Sequence, residues 1–260
     1  MKIALITDPH LESDTQRFPG LDPLARVDMA LEAVKQQVPD ADLLVLLGDL
    51  TDTCSVGSYQ AVRERLTALG MPTRVLVGNH DDRQSISSAW PDLPVDENGF
   101  LQSSMITDNL ALLFLDTHEP GTHAGHYCAA RQSWLAAELA RAGDRPSFLF
   151  MHHQPGFVGT RVDDSRLQQH EDLARIIKRE GNVRQIICGH THMTVAGAWR
   201  GIAWTSLQAT HVQVGLDFPE RPRRYYSGPA HIGVMLIDGN GDSAVHFYDF
   251  LQPYPPFQTV

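Results

Sequence analysis

Five short clusters of potential metal ligands punctuate the chain: Asp8-Pro9-His10, Gly48-Asp49, Gly78-Asn79-His80-Asp81, His152-His153 and Gly189-His190-Thr191-His192. Imidazole and carboxylate with one amide, and no thiolate, form a donor set suited to zinc, manganese, iron or cobalt. Taken singly, each cluster has a plainer reading. Asp-x-His is common in surface and capping loops, and Gly-Asp after a strand is usually a turn. His152-His153 alone could be a half-buried pair. Gly-His-x-His is more specific, because residues two apart in an extended segment share one side. What joins the clusters is position: each follows an apolar run, at residues 2–7, 42–47, 73–77, 147–151 and 184–188. Ligand sites in α/β sheets gather at the carboxyl ends of strands, so the five loops are expected to converge. Asp8, His10, Asp49, Asn79, His152, His190 and His192 are too many ligands for one ion. With one shared carboxylate they divide into two adjacent sets, and a two-metal site clamps the attacking and leaving oxygens of an in-line displacement at phosphorus.

The elements that must position these clusters are legible as patterns. The five runs, with a sixth at 110–116, have strand length and composition. Helices are expected near residues 23–37, 58–69, 131–142 and 165–179. In the first, Leu24, Val27, Leu31, Val34 and Val38 recur at three- and four-residue steps, one helical face. Strand–helix alternation specifies a layered α/β domain. After Cys188 the pattern changes, and residues 194–207 and 232–250 read as strands with tight turns at Asp238-Gly239 and Asn240-Gly241. Between them, about residues 208–230 are rich in Pro, Arg and Tyr without periodicity, an excursion expected to act as a lid or an oligomer contact. The tail at 252–260, with Pro253, Pro255 and Pro256, is expected to pack irregularly.

Composition narrows the partners. The 260 residues carry 31 Asp and Glu against 21 Lys and Arg, a formal net charge of −10. Such a chain repels nucleic acid polymers and anionic membrane surfaces at long range. Its apolar runs, such as residues 43–47, are far short of the roughly 20 residues that span a bilayer. The apolar stretch at residues 3–6 is too short for the core of a secretory signal and reads as the first strand. Cys54, Cys128 and Cys188 are widely spaced and odd in number. They are expected to be reduced thiols in a cytoplasmic protein rather than disulfide or zinc–thiolate partners.

In order, D-x-H, G-D, G-N-H-(D/E), H and G-H-x-H resemble the motifs of the calcineurin-like metallophosphoesterases, and every motif position between Asp8 and His192 is filled. Within that superfamily the single-domain chain is similar to the bacterial class III cyclic nucleotide phosphodiesterases and the glycerophosphodiesterases. The resemblance implies one domain over residues 1–260, built as a four-layer α-β-β-α sandwich of two mixed sheets flanked by helices. It implies two divalent ions (Mn, Fe, Zn or Co), with Asp8, His10 and His192 on the first, Asn79, His152 and His190 on the second, and Asp49 bridging. His80 would lie outside the metal shell, protonating the leaving alkoxide or stabilising charge on phosphorus, or else orienting Asp49 or Asn79. His153 receives no ligand role. Asp81 stands where Glu is also found, and residues 48–52 lack the tyrosine ligand of purple acid phosphatases. The implied activity is hydrolysis of small phosphodiesters, of cyclic nucleotide or glycerophosphodiester type, by a metal-bridging hydroxide. A phosphomonoesterase or phosphonate-ester hydrolase is the alternative. A non-catalytic scaffold would be expected to have lost ligands.

Substrate signals are weaker. His118, His123 and His126 follow the run at 110–116, and His211 begins the excursion. His126 and His211 are carried forward as candidate substrate contacts. Arg221, Arg223 and Arg224 could meet a second phosphate or form a solvated face. Tyr225 and Tyr226 could stack on a base or contact a second copy in a homodimer or higher oligomer.

Overall fold

Within β1 (Lys2–Ile6), alternate residues part company: Ile3 and Leu5 enter one apolar core, Ala4 and Ile6 another. That period-two split recurs in every central strand and generates the architecture. The computed structural model describes residues 1–12, 16–218 and 221–251. After β1 come α1 (Pro23–Gln37), β2 (Leu43–Leu46), α2 (Val56–Leu69), β3 (Thr73–Val75), α3 (Arg83–Ala89), β4 (Ser103–Ile106), β5 (Ala111–Leu115), α4 (Ala129–Ala142) and β6 (Ser147–Met151). A 3-10 turn (Arg161–Ser165), α5 (His170–Glu180), β7 (Val183–Cys188), β8 (Val195–Trp199), β9 (Ile202–Ser206), β10 (Gln213–Val214), β11 (Tyr225–Tyr226), β12 (His231–Ile237) and β13 (Ser243–Asp249) complete the order.

Two large mixed sheets result, ordered β13-β12-β1-β2-β3 and β4-β5-β6-β7-β9-β8. Pairing is parallel among β1, β2 and β3 and among β5, β6, β7 and β9, and antiparallel at the flanks. Ala4, Ile6, Leu44 and Leu46 pack on Val27, Leu31 and Val34 of α1 and on Tyr59, Val62 and Leu66 of α2. Ile3, Leu5, Leu43 and Val45 pack instead on Leu112, Phe114, Phe148 and Phe150 of the other sheet. Leu113, Leu115, Leu149 and Met151 turn outward to Leu135 and Leu139 of α4 and to Leu173, Ile176 and Ile177 of α5. Three apolar layers therefore separate helices, sheet, sheet and helices, and each buried Leu, Ile or Phe contributes about 1.5–3 kcal/mol.

Local chemistry sets the helix ends. Asp22 caps α1, accepting from the backbone nitrogens of Leu24 and Ala25 at 3.0 and 3.1 Å, with Pro23 at the first position. Ser55 caps α2, which starts two residues earlier than the pattern indicates and stops at Gly70 in the left-handed region. The helix expected over 165–179 begins only at His170. Ahead of it, the Leu167 nitrogen is drawn to the Gln154 carbonyl at 3.1 Å and Arg166 is extended, which breaks the helical path. Helix α3 and edge strand β4 have no counterpart in the sequence reading, because each is short and only partly buried. The excursion contains the small β10–β11 pair, with Gln213 opposite Tyr226 and Val214 opposite Tyr225. The tail at 252–260 lies outside the described residues.

Candidate metal centre

The strand ladder continues past the strand ends and carries the clusters together. The Asp8 nitrogen donates to the Gly48 carbonyl at 3.1 Å, the His10 nitrogen to Asp49 at 3.0 Å, and the Gly189 nitrogen to His152 at 3.1 Å. The loops then turn sharply. Asp8, His10, Asp49, His190 and His192 all have φ between 46° and 67°, five of the eight non-glycine residues with positive φ among those described. Such residues cost of order 1–3 kcal/mol each and persist only where surrounding structure enforces them. Gly48 and Gly78 allow the turns to touch. At Gly48 (φ 100°) a Cβ would meet the Gly78 nitrogen and His152 Nδ1, each at 2.7 Å, and at Gly78 a Cβ would overlap the Asp49 carboxylate. Asp81, 3% exposed, ties the same two loops by accepting from Gly78 N at 2.8 Å, Leu50 N at 3.0 Å and Tyr59 Oη at 3.2 Å. Burial, reinforced by the charge of Asp49, pushes its carboxyl up to about 7.

One donor set comprises Asp8, His10, Asp49 and His192, whose ligand atoms all lie within 4.8 Å of one another. His192 Nε2 is 3.3 Å from Asp8 Oδ1, and His10 Nε2 is 3.6 Å from Asp49 Oδ2. His192 Nδ1 donates to the Val212 carbonyl at 2.6 Å, and His10 Nδ1 to Asp52 Oδ1 at 2.6 Å. With those hydrogens committed, two Nε2 lone pairs face each other at 3.1 Å beside two carboxylates. Only a cation or a proton resolves that arrangement, so the residues fit a divalent ion.

A second set adjoins the first. His152 Nδ1 donates to the Leu47 carbonyl at 2.7 Å, and its Nε2 lies 3.3 Å from both Asp49 Oδ2 and Asn79 Oδ1. Asn79 Nδ2 meets His123 Nδ1 at 3.0 Å, which turns the amide oxygen toward His152. His190 engages Ser165 Oγ through Nε2 at 2.8 Å, and its backbone nitrogen donates to Asp8 Oδ2 at 3.1 Å. All seven residues singled out from sequence thus meet where the carboxyl ends of β1, β2 and β3 in one sheet and of β6 and β7 in the other come together, with Asp49 between the two sets. His153 lies behind them, fully buried, its Nδ1 2.8 Å from Thr117 Oγ1. It also falls within a grouping with His152 and His190.

The electrostatics are those of a pocket in need of positive charge. Burial disfavours ionising Asp8 and Asp49, yet neighbouring imidazoles (His192 and His152 at Asp8, His152 and His10 at Asp49) outweigh it. Asp8 is held at about 2 and Asp49 well below the usual carboxylate range. Conversely, burial opposes protonation of His152, but Asp49 and Asp8 lift it to about 9. His190, buried and next to His152, is pushed down to about 3 and stays neutral, as a ligand must.

His80 stands beside this centre. Its side chain is 34% exposed, and its Nδ1 is 3.0 Å from Asp52 Oδ1. Its backbone nitrogen donates to Asp49 Oδ1 at 2.8 Å. Burial lowers its basicity, but the hydrogen bond to Asp52 and the charges of Asp49 and Asp52 raise it to about 9. Asp52 is absent from the sequence-derived site, although it stands three residues after Asp49.

The centre opens into a cleft of about 640 Å³. His211 lines it, 1% exposed, with its ring 6.0 Å from that of His10. His126, the other histidine carried forward from sequence, is not among the residues that line it. Its nitrogen is bonded to the Thr117 carbonyl at 2.9 Å and its Nδ1 to Gln169 Nε2 at 3.3 Å. In the same loop Gly125 packs closely against the His153 ring, and His123 lines the cleft. Arg223 and Tyr225 line the cleft, whereas Arg221, Arg224 and Tyr226 do not. Arg17, Phe18, Arg161 and Ser165 also line it, and the sequence reading named none of them. No helix among the described residues is long and apolar enough to cross a membrane.

Comparison with known proteins bears on family and fold. A family model described as calcineurin-like phosphoesterase matches residues 1–194. A "probable cyclic nucleotide phosphodiesterase" of Rhodopseudomonas palustris is 33% identical over 83% of this chain and 78% of its own. A glycerophosphodiester phosphodiesterase of Enterobacter lignolyticus is 30% identical over 87% and 83%. Among solved structures, a dimetal phosphatase from Danio rerio superposes with a TM-score of 0.72 at 14% identity, covering 95% of this chain and 99% of that one, a likeness of fold.

Proposed function

The chain belongs to the calcineurin-like phosphoesterase family, and from that premise we propose that it is a dinuclear metal-dependent hydrolase of small phosphodiesters, of cyclic nucleotide or glycerophosphodiester type. The observation that carries the reading is the position of Asp49, whose Oδ2 lies 3.6 Å from His10 Nε2 and 3.3 Å from His152 Nε2. Asp8, His10 and His192 would hold one ion, Asn79, His152 and His190 the other, with Asp49 shared. Bound divalent ions supply a water of lowered pKa and polarised phosphoryl oxygens. Asp8 and Asp49 would then sit beside bound cations, and the local field met by an anionic diester would no longer follow the −10 net charge of the chain. The relatives named as phosphodiesterases support a diester over a monoester.

The chain's own groups complete the reaction. Asp52 holds His80 through Nδ1 and favours its imidazolium, so Nε2 remains to donate to the leaving alkoxide or to charge developing on a phosphoryl oxygen. The strained turns at Asp8, His10, Asp49, His190 and His192 keep the ligands in place before substrate arrives. The free thiols Cys54, Cys128 and Cys188 suit a reducing compartment such as the cytoplasm. The test is a manganese-reconstituted panel of bis-p-nitrophenyl phosphate, p-nitrophenyl phosphate, 3′,5′- and 2′,3′-cyclic AMP and glycerophosphoethanolamine, with metal content measured per chain. Two metals per chain and diester turnover above monoester turnover are expected. Monoester preference, or one metal at full activity, overturns the reading.

A further inference from the structure

One wall of the cleft has no part in the chemistry above. From His10 a run of planar side chains leads outward to the 208–230 excursion. His211 lies 6.0 Å from His10 between ring centroids, Phe18 lies 5.4 Å from His211 at 81°, and Tyr225 lies 5.5 Å from Phe18 at 69°. His211 is 1% exposed and Tyr225 36%, so the run grades from fixed wall to open rim. Arg17 binds the rim together. Its guanidinium carbon is 5.1 Å from the Phe18 centroid and 4.8 Å from that of Tyr225, and its Nη2 donates to Tyr225 Oη at 2.8 Å. These contacts join the loop after β1 to the excursion, two segments remote in sequence. All four side chains line the cleft.

A wall of this composition fits one kind of ligand. Aromatic rings and guanidinium planes are the surfaces on which nucleobases stack, and they do so with tolerance of base identity. The ligand-bearing loops treat the phosphate of any small diester alike. A glycerol arm has no planar face to lay on Phe18, whereas a base attached to the ribose of a cyclic phosphate does. We propose that Phe18, with Arg17 and Tyr225, forms a stacking subsite for the base of a nucleoside-derived diester, so that the enzyme takes 3′,5′-cyclic mononucleotides in preference to glycerophosphodiesters. The proposal rests on the phosphodiesterase reading of the same site.

The experiment compares kcat/KM for 3′,5′-cyclic AMP and for glycerophosphoethanolamine within single preparations of the manganese-loaded full chain. The ratio of the two is independent of the active fraction, so a partly misfolded variant does not mislead. One base–aromatic stack corresponds to roughly 5- to 140-fold in affinity. In Phe18→Ala the ratio is expected to fall at least fivefold, mainly through KM for cyclic AMP, and in Phe18→Trp to return to the wild-type value or above. A ratio within twofold of wild type in Phe18→Ala overturns the subsite while leaving the diesterase reading intact. If the wild-type protein turns over no diester, that reading fails, and equilibrium dialysis with labelled cyclic AMP decides the subsite. Binding weakened at least fivefold by Phe18→Ala sustains it, and equal binding or none overturns it.

Discussion

Replacing Asp52 by Asn removes a charge and keeps the shape, and its consequences divide between metal and chemistry. In the structure a single oxygen, Oδ1, serves His10 Nδ1 at 2.6 Å and His80 Nδ1 at 3.0 Å. Hydrogen bonds to charged groups contribute about 1.5–3 kcal/mol each. The Asp52 side chain is 27% exposed, so water weakens both, and the lower figure, about 1.5 kcal/mol or tenfold per bond, applies. The His10 bond orients a proposed ligand, so its loss should weaken manganese binding by about tenfold, within the range for partners of metal ligands. The His80 bond holds a proposed proton donor, so at saturating manganese kcat for an alkyl diester should fall about tenfold, and less for an aryl diester whose leaving group needs no proton. Calorimetric manganese titration reads the first effect, and steady-state kinetics on the two diesters reads the second. In a His80→Ala background, Asp52→Asn should add little to the loss in kcat while still weakening metal binding. Wild-type metal affinity with kcat within twofold, or full additivity of the two losses in kcat, would refute the coupling of Asp52 to both rings.

Three further expectations follow from other parts of the molecule. Asp49→Asn should abolish diester turnover and lose at least one metal equivalent, and two tightly bound metals by elemental analysis would contradict the shared-ligand role. Chelation should lower the thermal midpoint by roughly 5–10 °C for each ion removed, because one ion present at about 100 times its dissociation constant stabilises the fold by about 2.7 kcal/mol; a midpoint unchanged on chelation and on manganese addition would count against a resident cation. Asp116 is fully buried and accepts from Arg83 Nε at 2.6 Å, Arg83 Nη2 at 2.7 Å and the nitrogens of Leu101 and His118, each at 3.0 Å. Arg131 Nη1 lies 3.6 Å from the same carboxylate, so Asp116→Ala should cost about 3–5 kcal/mol in urea unfolding, and a loss below about 1 kcal/mol would show that Arg83 and Arg131 find other partners.

Much of the layered fold was legible because period-two burial is local. Once Ile3 and Leu5 point one way and Ala4 and Ile6 the other, a strand needs an apolar layer on each face, and the helices with three- and four-residue steps supply the outer ones. What escaped were elements with little burial to pattern them, α3 and β4, and the start of α5, where a carbonyl twelve or more residues away diverts the chain. The ligand clusters were legible for a related reason: parallel strands deliver the residues that follow them to one edge, so adjacency to a strand end stands in for adjacency in space.

No such rule exists for residues that reach the cleft from loops of their own. Phe18, Arg17 and Arg161 stand at no strand end, and only packing of their segments beside the ligand loops brings them to the cleft, while Asp52, on the Asp49 loop itself, becomes part of the site only through its contacts with His10 and His80. His123 and His126 show the point most simply: three residues apart in one loop, with His126 the one favoured from sequence, they part in the fold, His123 meeting Asn79 and His126 meeting Gln169. The amino-acid sequence alone determined the α/β pattern, the strand-end clusters, the donor types and hence the class of chemistry, because each depends on residue type and near neighbours. The tertiary structure decided which histidines face the cleft, that Asp52 joins His10 to His80, and that an aromatic wall flanks the centre. Those outcomes depend on packing between segments as far apart as Phe18 and Tyr225, where no local periodicity operates.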